Sequence, residues 1–129
     1  SLNISGDGSL AITALGGDSD GIYLQESSLI MKDCTLDITA DYAGIYSDRS
    51  VTLTGCTLDI AARDDGITCY DSVTLTGCTL NIAADYWAIS ASEDIRHGLL
   101  GRQLLFFRSS PAGEQQHRAL LQQRRRRYR

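Results

Sequence analysis

Carboxylates recur in one loop of the sequence about every 22 residues, and they are the side chains best suited to chemistry. The loop aspartates are Asp18, Asp20, Asp41, Asp64, Asp65 and Asp85. Like charges stacked on neighbouring strands repel, and calcium, which takes about 6 to 8 oxygen ligands, could turn that repulsion into coordination. The alternative is a set of solvated turn residues, because aspartate tolerates turn geometry. We therefore expect these six residues as candidate metal ligands and calcium as the candidate cofactor.

Three aromatic residues, Tyr42, Tyr86 and Trp87, lie in the same loop as the carboxylates. Sugar rings present apolar C–H faces, so flat aromatic side chains beside carboxylates or bound calcium could hold a polysaccharide chain. Tyr23 and Tyr46 follow the loop glycines and are further candidates. The alternative is that outward-facing tyrosines reflect strand propensity and cross-strand packing. The loop aromatics are preferred because they share a loop with the acids.

Arg63 is the basic residue beside the loop carboxylates, and it joins the three loop aromatics as a predicted carbohydrate-binding residue. A lyase that abstracts a proton next to a uronate needs calcium and a base, and the repeats offer only Lys32, Arg49 and Arg63. An arginine next to two aspartates is more often an ion pair. No nucleophile and base stand out for hydrolysis, so no catalytic residue is predicted, and a polysaccharide lyase remains the enzymatic alternative.

An internal repeat of 22 residues must position these loops. Residues 66–87 repeat the pattern of residues 44–65, and residues 21–43 form a preceding copy that is one residue longer. The recurring apolar columns are Ile22, Ile45, Ile67 and Ile89; Leu29, Val51 and Val73; Met31, Leu53 and Leu75; Leu36, Leu58 and Leu80; Ile38, Ile60 and Ile82. They alternate with polar residues, which is typical of strands with one buried face. We therefore predict an all-β fold, a right-handed parallel β-helix (solenoid) of about four 22-residue coils with three strands per coil.

Cys34, Cys56 and Cys78 form one more inward column of the repeat. Adjacent Cα atoms in such a column lie about 4.8 Å apart, a distance that a disulfide can span. Three thiols in one stack cannot all pair, and Cys69 belongs to a different column. We expect a buried stack of reduced thiols that act as small apolar residues, with a disulfide or a metal site as the alternative.

The repeat resembles a known family. The segments Gly44-Ile-Tyr-Ser-Asp, Val51-Thr-Leu-Thr-Gly and Thr57-Leu-Asp-Ile-Ala, with Asp64-Asp-Gly-Ile closing the loop, resemble the bacterial carbohydrate-binding β-helix proteins with a pectate-lyase-like fold. The resemblance covers residues 1–95. It implies non-catalytic, calcium-assisted binding of an acidic polysaccharide, with polygalacturonate as the expected partner, and export to the cell surface or the medium. The chain departs from the family pattern in its cysteine column and at Ala88, where a loop glycine is expected. A structural or adhesin stalk is the third alternative.

Charge divides the chain into two parts. Residues 1–94 contain three basic and fifteen acidic residues, whereas residues 95–129 contain nine arginines and one glutamate. The acidic body disfavours nucleic acid, because phosphate binding needs a basic face. No apolar run reaches the roughly 18 residues of a membrane span. The first residues lack both an initiator Met and the regions of a signal peptide, so we expect that the sequence begins inside a longer protein.

From Arg96 onward the 22-residue period and the acidity both stop, and the chain ends in a run of arginines. We therefore expect two parts: a β-helix over residues 1–95, and a basic tail over residues 96–129 that is disordered or a short helix and does not continue the solenoid. With suitable codons, a one-base shift of the frame turns parts of the tail into serine-, asparagine- and glycine-rich sequence like the repeat. A frameshifted tail is thus our preferred explanation, and a native basic helix or nucleic-acid arm is the alternative.

Overall fold

The computed structural model describes residues 1–98 and 104–109, which form strands and turns and no helix. Within these described residues, fourteen strands, numbered β1 to β14, follow each other in coils. The first coil contains β1 (Leu2–Ser5) and β2 (Ser9–Ala14). The second contains β3 (Ile22–Leu24), β4 (Leu29–Lys32) and β5 (Thr35–Ala40), and the third β6 (Ile45–Ser47), β7 (Val51–Thr54) and β8 (Thr57–Ala62). The fourth contains β9 (Ile67–Cys69), β10 (Ser72–Thr76) and β11 (Thr79–Ala84). Next come β12 (Ile89–Ala91), β13 (Asp94–Gly98) and β14 (Leu104–Ser109).

The strands stack into three parallel sheets, one for each side of the coil. Sheet A has the order β1-β4-β7-β10-β13, sheet B the order β2-β5-β8-β11-β14, and sheet C the order β3-β6-β9-β12. Equivalent residues pair from coil to coil, as Val51 does with Val73 and Ile60 with Ile82. The prediction of a parallel solenoid of about four 22-residue coils is therefore confirmed, and its right-handed sense stays a prediction.

The core is the stack of inward columns that the repeat predicts. Leu53 and Leu58 are almost fully buried, as are their equivalents on the neighbouring coils. Burying each such side chain contributes roughly 1.5 to 3 kcal/mol, and no coil could do so without its neighbours. Ser47 is a buried polar member of the sheet C column, and its Oγ donates a hydrogen bond to the carbonyl of Ser27 at 2.7 Å. The hydroxyl group of Ser47 is thus tolerated in the apolar core because it has a hydrogen-bond partner.

All four cysteines are buried free thiols. The Sγ atoms of Cys34 and Cys56 lie 3.9 Å apart, and the Sγ of Cys78 donates to the carbonyl of Leu53 at 3.3 Å. Burial raises the pKa of Cys34, and it raises the pKa of Cys69 to about 11, whereas the hydrogen bond between Cys56 and Cys78 lowers the pKa of Cys56 and raises that of Cys78. The burial of all four side chains is that expected of small residues in the core.

A glycine directly precedes the sheet C strand of the second, third and fourth coils, because successive coils approach closely there. A Cβ on Gly44 would lie 2.5 Å from Cγ2 of Ile60 and 2.6 Å from the carbonyl oxygen of Gly66 on the next coil. A Cβ on Gly21 would meet the equivalent atoms, Cγ2 of Ile38 and the carbonyl oxygen of Gly44, at the same distances. This close approach leaves no room for a side chain at these three positions.

Strand pairing runs past the expected boundary at residue 95. β13 pairs in parallel with β10, and β14 pairs in parallel with β11. This pairing differs from the expectation that the chain leaves the solenoid at about Arg96. The physical reason is that β10 and β11 would otherwise present unpaired backbone groups, and an apolar run such as Leu104-Leu-Phe-Phe can pair with that edge whatever its origin. The rest of the expected tail, residues 99–103 and 110–129, lies outside the described residues, and its disorder, helicity and frameshift stay predictions.

Candidate functional site

The loops between sheets B and C stack directly on one another. The backbone N–H of Tyr42 donates to the carbonyl of Ser19 at 3.0 Å, that of Asp64 to Tyr42 at 3.3 Å, and that of Tyr86 to Asp64 at 3.2 Å. We call these four residues, Ser19, Tyr42, Asp64 and Tyr86, the loop column. Since neighbouring strands lie about 4.8 Å apart, the two tyrosines are separated by roughly 10 Å with a carboxylate between them.

Negative charge surrounds the exposed ring of Tyr42. The charge of Asp64 is the largest cause that raises the pKa of the Tyr42 hydroxyl; slight desolvation and the charges of Asp18, Asp20 and Asp65 add to it. Four of the six predicted metal ligands therefore act on one tyrosine. This edge of the solenoid is a place where a cation or a hydroxyl-rich molecule is favoured over an anion.

Asp20 and Asp65 have a structural role in the same loops. Asp20 Oδ1 accepts the backbone N–H of Ala43 at 2.9 Å, and Asp65 Oδ1 accepts that of Trp87 at 3.1 Å. Both carboxylates are half-buried. Burial raises the pKa of Asp20, and burial, with the charge of Asp64 adding to it, raises the pKa of Asp65 to about 6. One oxygen of each carboxylate thus orients the next loop.

Arg63 forms the ion pair that the sequence left as an alternative, but its partner is on the coil below. Its Nε lies 3.6 Å from Oδ1 of Asp41, and the side chain is 77% exposed. The other oxygen of Asp41 accepts the N–H of Gly16 at 2.6 Å. An exposed pair of this kind contributes little to stability, so the guanidinium can exchange Asp41 for a ligand at small cost.

An open groove of about 560 Å³ runs across three coils beside the loop column. Its lining residues are Leu15, Thr39, Ala40, Asp41, Ala61, Ala62, Arg63, Ala83, Ala84 and Asp85. Small side chains on the outer face of sheet B make the floor shallow, while Asp41, Arg63 and Asp85 supply the charged groups. The groove and the loop column together form a strip along the solenoid axis.

Comparison with known protein families found one match. A family model described as carbohydrate-binding domain-containing protein matches residues 1–98, which is most of the chain. The chain belongs to this carbohydrate-binding domain family. No curated protein and no solved structure matched it. The family description does not mention a pectate-lyase-like fold, so that part of the resemblance stays a prediction.

The predicted metal ligands of this carbohydrate-binding domain share one edge without forming a closed site. Among the residues that the structure describes, no three His, Cys, Asp or Glu side chains converge on a point suited to a metal ion. One carboxylate oxygen accepts a hydrogen bond from a backbone N–H in each of Asp20, Asp41 and Asp65. Asp85 lines the groove. Since calcium needs about 6 to 8 oxygens, an ion held here would need further oxygens from a bound ligand or water.

The aromatic residues divide into two groups. Tyr86 and Trp87 are exposed on the loop edge beside Tyr42, as predicted. On the outer face of sheet C, the rings of Tyr23 and Tyr46 stack at 5.1 Å with an interplanar angle of 11°.

Sequence reasoning missed several residues of these surfaces. Tyr70 was overlooked because its column holds a different residue type in each coil. Asp48 belongs to the same column, and Thr39 with its alanine equivalents was missed on the groove floor. The signal in the sequence was the alternation within each strand, which also predicts the residues that face outward. Those residues do not repeat in type from coil to coil, unlike the inward columns.

No helix in the described part of the chain is long and apolar enough to cross a membrane.

Proposed function

We propose that this chain is a non-catalytic carbohydrate-binding solenoid that holds a polysaccharide along the loop column and the adjoining groove. The observation that carries the proposal is the coil-to-coil alignment of Tyr42, Asp64 and Tyr86. It provides two aromatic surfaces with a hydrogen-bond acceptor between them. Both are held by a rigid backbone ladder, so little side-chain and loop ordering is needed on binding.

Each part of the strip has a separate task. The rings of Tyr42 and Tyr86 pack against the C–H faces of sugar units, which removes apolar area from water. Carboxylate oxygens accept hydrogen bonds from sugar hydroxyls, and Arg63 donates to oxygens of a chain that lies in the groove. Contacts repeated from coil to coil add up along one polymer, so that weak binding of each sugar unit gives firm binding of the whole chain.

The finer proposal is that the ligand is an acidic polysaccharide, such as polygalacturonate, bound with the help of calcium. The charges of Asp18 and Asp64, which raise the pKa of Tyr42, would repel a uronate. Calcium would remove that repulsion by taking oxygens from both the protein and the glycan. A polymer of this class is met outside the cell, which supports a secreted or cell-surface location.

The test is affinity electrophoresis in gels that contain polygalacturonate, with calcium or with a chelator. We expect retention with calcium only, because the body is strongly acidic. Tyr42→Ala should reduce the retention, whereas Tyr70→Ala, which removes another exposed tyrosine, should not. Equal thermal unfolding of the two variants would show that both are folded.

Two other outcomes would replace the proposal. Release of an unsaturated product that absorbs in the ultraviolet would make the chain part of a lyase, and Arg63 would be the first base to substitute. Absence of retention on every glycan, with and without calcium, would favour the structural stalk instead.

A further inference from the structure

A second aromatic surface lies on the outer face of sheet C. Tyr23 and Tyr46 stack there, and interaction with the side chain of Asp48 is the main cause that raises the pKa of the Tyr46 hydroxyl. Asp48 Oδ2 also accepts the backbone N–H of Glu26 at 3.0 Å. The backbone N–H of Glu26 therefore orients this carboxylate.

Tyr70 completes this surface on the next coil. The N–H of Asp48 donates to the carbonyl of Leu24 and the N–H of Tyr70 to that of Ser47, so Tyr70 stands directly after Asp48 in one column. Tyr70 is 66% exposed although β9, the strand just before it, has β6 and β12 on its two sides. Its exposure is thus a property of the face and not of an end of the solenoid. We call Tyr23, Tyr46, Asp48 and Tyr70 the sheet C cluster.

The sheet C cluster is separate from the loop column. The groups that shift the pKa of Tyr42 are Asp64, Asp18, Asp20 and Asp65, whereas those that act on Tyr46 are Asp48, Tyr23 and Tyr70. The two sets share no member. Residues 43–45, which are buried, lie between Tyr42 and Tyr46 in the third coil.

Packing accounts for only part of the cluster. A stacked pair such as Tyr23 and Tyr46 is a usual cross-strand contact that stabilises a sheet. It does not account for Tyr70, whose ring is mostly in water beside an oriented carboxylate. Exposed aromatic area next to a fixed hydrogen-bond acceptor is the arrangement that a sugar can use, through its C–H face and its hydroxyl groups.

The neighbouring charges decide which sugars fit. The adjoining column holds Arg49, Asp71 and Glu93, and Glu26 lies against Asp48, so three of these four side chains are acidic. A polyanion would be repelled here, and Asp48 can accept hydrogen bonds from neutral hydroxyl groups without a metal ion. We propose that the sheet C cluster is a second glycan-binding site, which takes a neutral polysaccharide without calcium. This inference rests on the proposed carbohydrate-binding function and extends it to a second face and a second ligand class.

The test uses affinity electrophoresis of the full chain in gels with hydroxyethylcellulose or galactomannan, always with a chelator. We expect retention of the wild-type chain, and we expect Tyr70→Ala to weaken it about five- to tenfold, as for loss of an aromatic anchor. Asp48→Asn should weaken it too, because the amide NH₂ replaces one acceptor oxygen. Ile30→Ala, which removes an exposed apolar side chain from β4 in sheet A, is the control and should change the affinity less than about twofold, and Tyr42→Ala separates this surface from the loop column. Thermal unfolding checks that each variant is folded.

The remaining outcomes separate this inference from the proposed function. Retention on neutral glycans that depends on Tyr42 and not on Tyr70 would overturn the second site but not the loop column. Retention on polygalacturonate with calcium, without retention on any neutral glycan, would have the same consequence. Neutral retention that depends on Tyr70, without any on polygalacturonate, would support the second site and overturn the acidic ligand of the loop column. Self-association that Tyr70→Ala abolishes, without glycan binding, would assign the surface to a second copy of the chain.

Discussion

Single carboxylates on the loop edge have different tasks that their shared sequence pattern does not show. Asp20 and Asp65 brace the next loop through its backbone N–H, whereas Asp64 acts on the Tyr42 hydroxyl by charge. The sequence predicted that these residues share one edge, because the 22-residue period sets the register. It could not predict which oxygen meets which N–H, since that depends on loop geometry within fractions of an ångström.

Asp65 gives a prediction on the pH dependence of stability. Its pKa is raised to about 6 by burial, with a further contribution from Asp64, against an ordinary value of 3.8. Between these values the folded chain binds more protons than the unfolded chain, so this residue makes the free energy of unfolding fall as the pH rises. Asp65→Asn removes the charge and keeps an oxygen for the Trp87 N–H. We expect the variant to be more stable than wild type at about pH 8, by about 1 kcal/mol after allowance for partial exposure.

Urea unfolding at several pH values measures this difference. The gain should shrink towards about pH 4, where the wild-type carboxyl is protonated in the folded state. Asp7→Asn, in an exposed turn of the first coil, is the control and should show no such gain. Equal stability of wild type and Asp65→Asn at every pH would refute the assigned role of burial.

At the scale of the strand, the glycine column sets how closely coils can stack. Gly44→Ala would place a methyl group against Ile60 and the Gly66 carbonyl, and the backbone oxygen cannot move without moving the next coil. We expect a loss of about 1 to 3 kcal/mol of unfolding free energy, the usual cost of overpacking. The loss should appear as a lower midpoint in urea unfolding.

The matched control for this substitution is Gly8→Ala. Nothing lies within 4 Å of a Cβ at Gly8, and its φ is not in the left-handed region. That variant should be within about 0.5 kcal/mol of wild type. If both alanine variants unfold alike, close stacking is not the reason for glycine at the start of sheet C.

Strands within the repeat could be predicted well, and those beyond it could not. Columns such as Ile45, Ile67 and Ile89 alternate with polar residues, so period and buried face follow from the sequence alone. β14 has no counterpart in the repeat, and its pairing follows from the open edge of β11. An edge is a property of the assembled sheet, which a search for repeated columns does not represent.

For the whole molecule, the solenoid turns one repeated loop into an extended surface. Residues 22 apart in sequence become direct neighbours, and this explains why the loop column and its carboxylates could be predicted as one edge. The groove and the sheet C cluster could not be predicted, because Tyr70 and Asp48 share a column only by position and not by residue type. If both proposed sites bind, two separate faces on one solenoid would let the chain engage two glycans at once.

Trp87 allows the most direct test of carbohydrate binding at the loop edge. It is the only tryptophan in the chain, it is 37% exposed, and its backbone N–H donates to Asp65 beside the loop column. Titration with oligogalacturonate in calcium should shift its fluorescence emission to shorter wavelength in a saturable way, because sugar replaces water at the ring. The change should weaken strongly in Tyr42→Ala and persist in Tyr70→Ala. Retention of the glycan on gels while the emission of Trp87 stays unchanged would contradict binding at this edge.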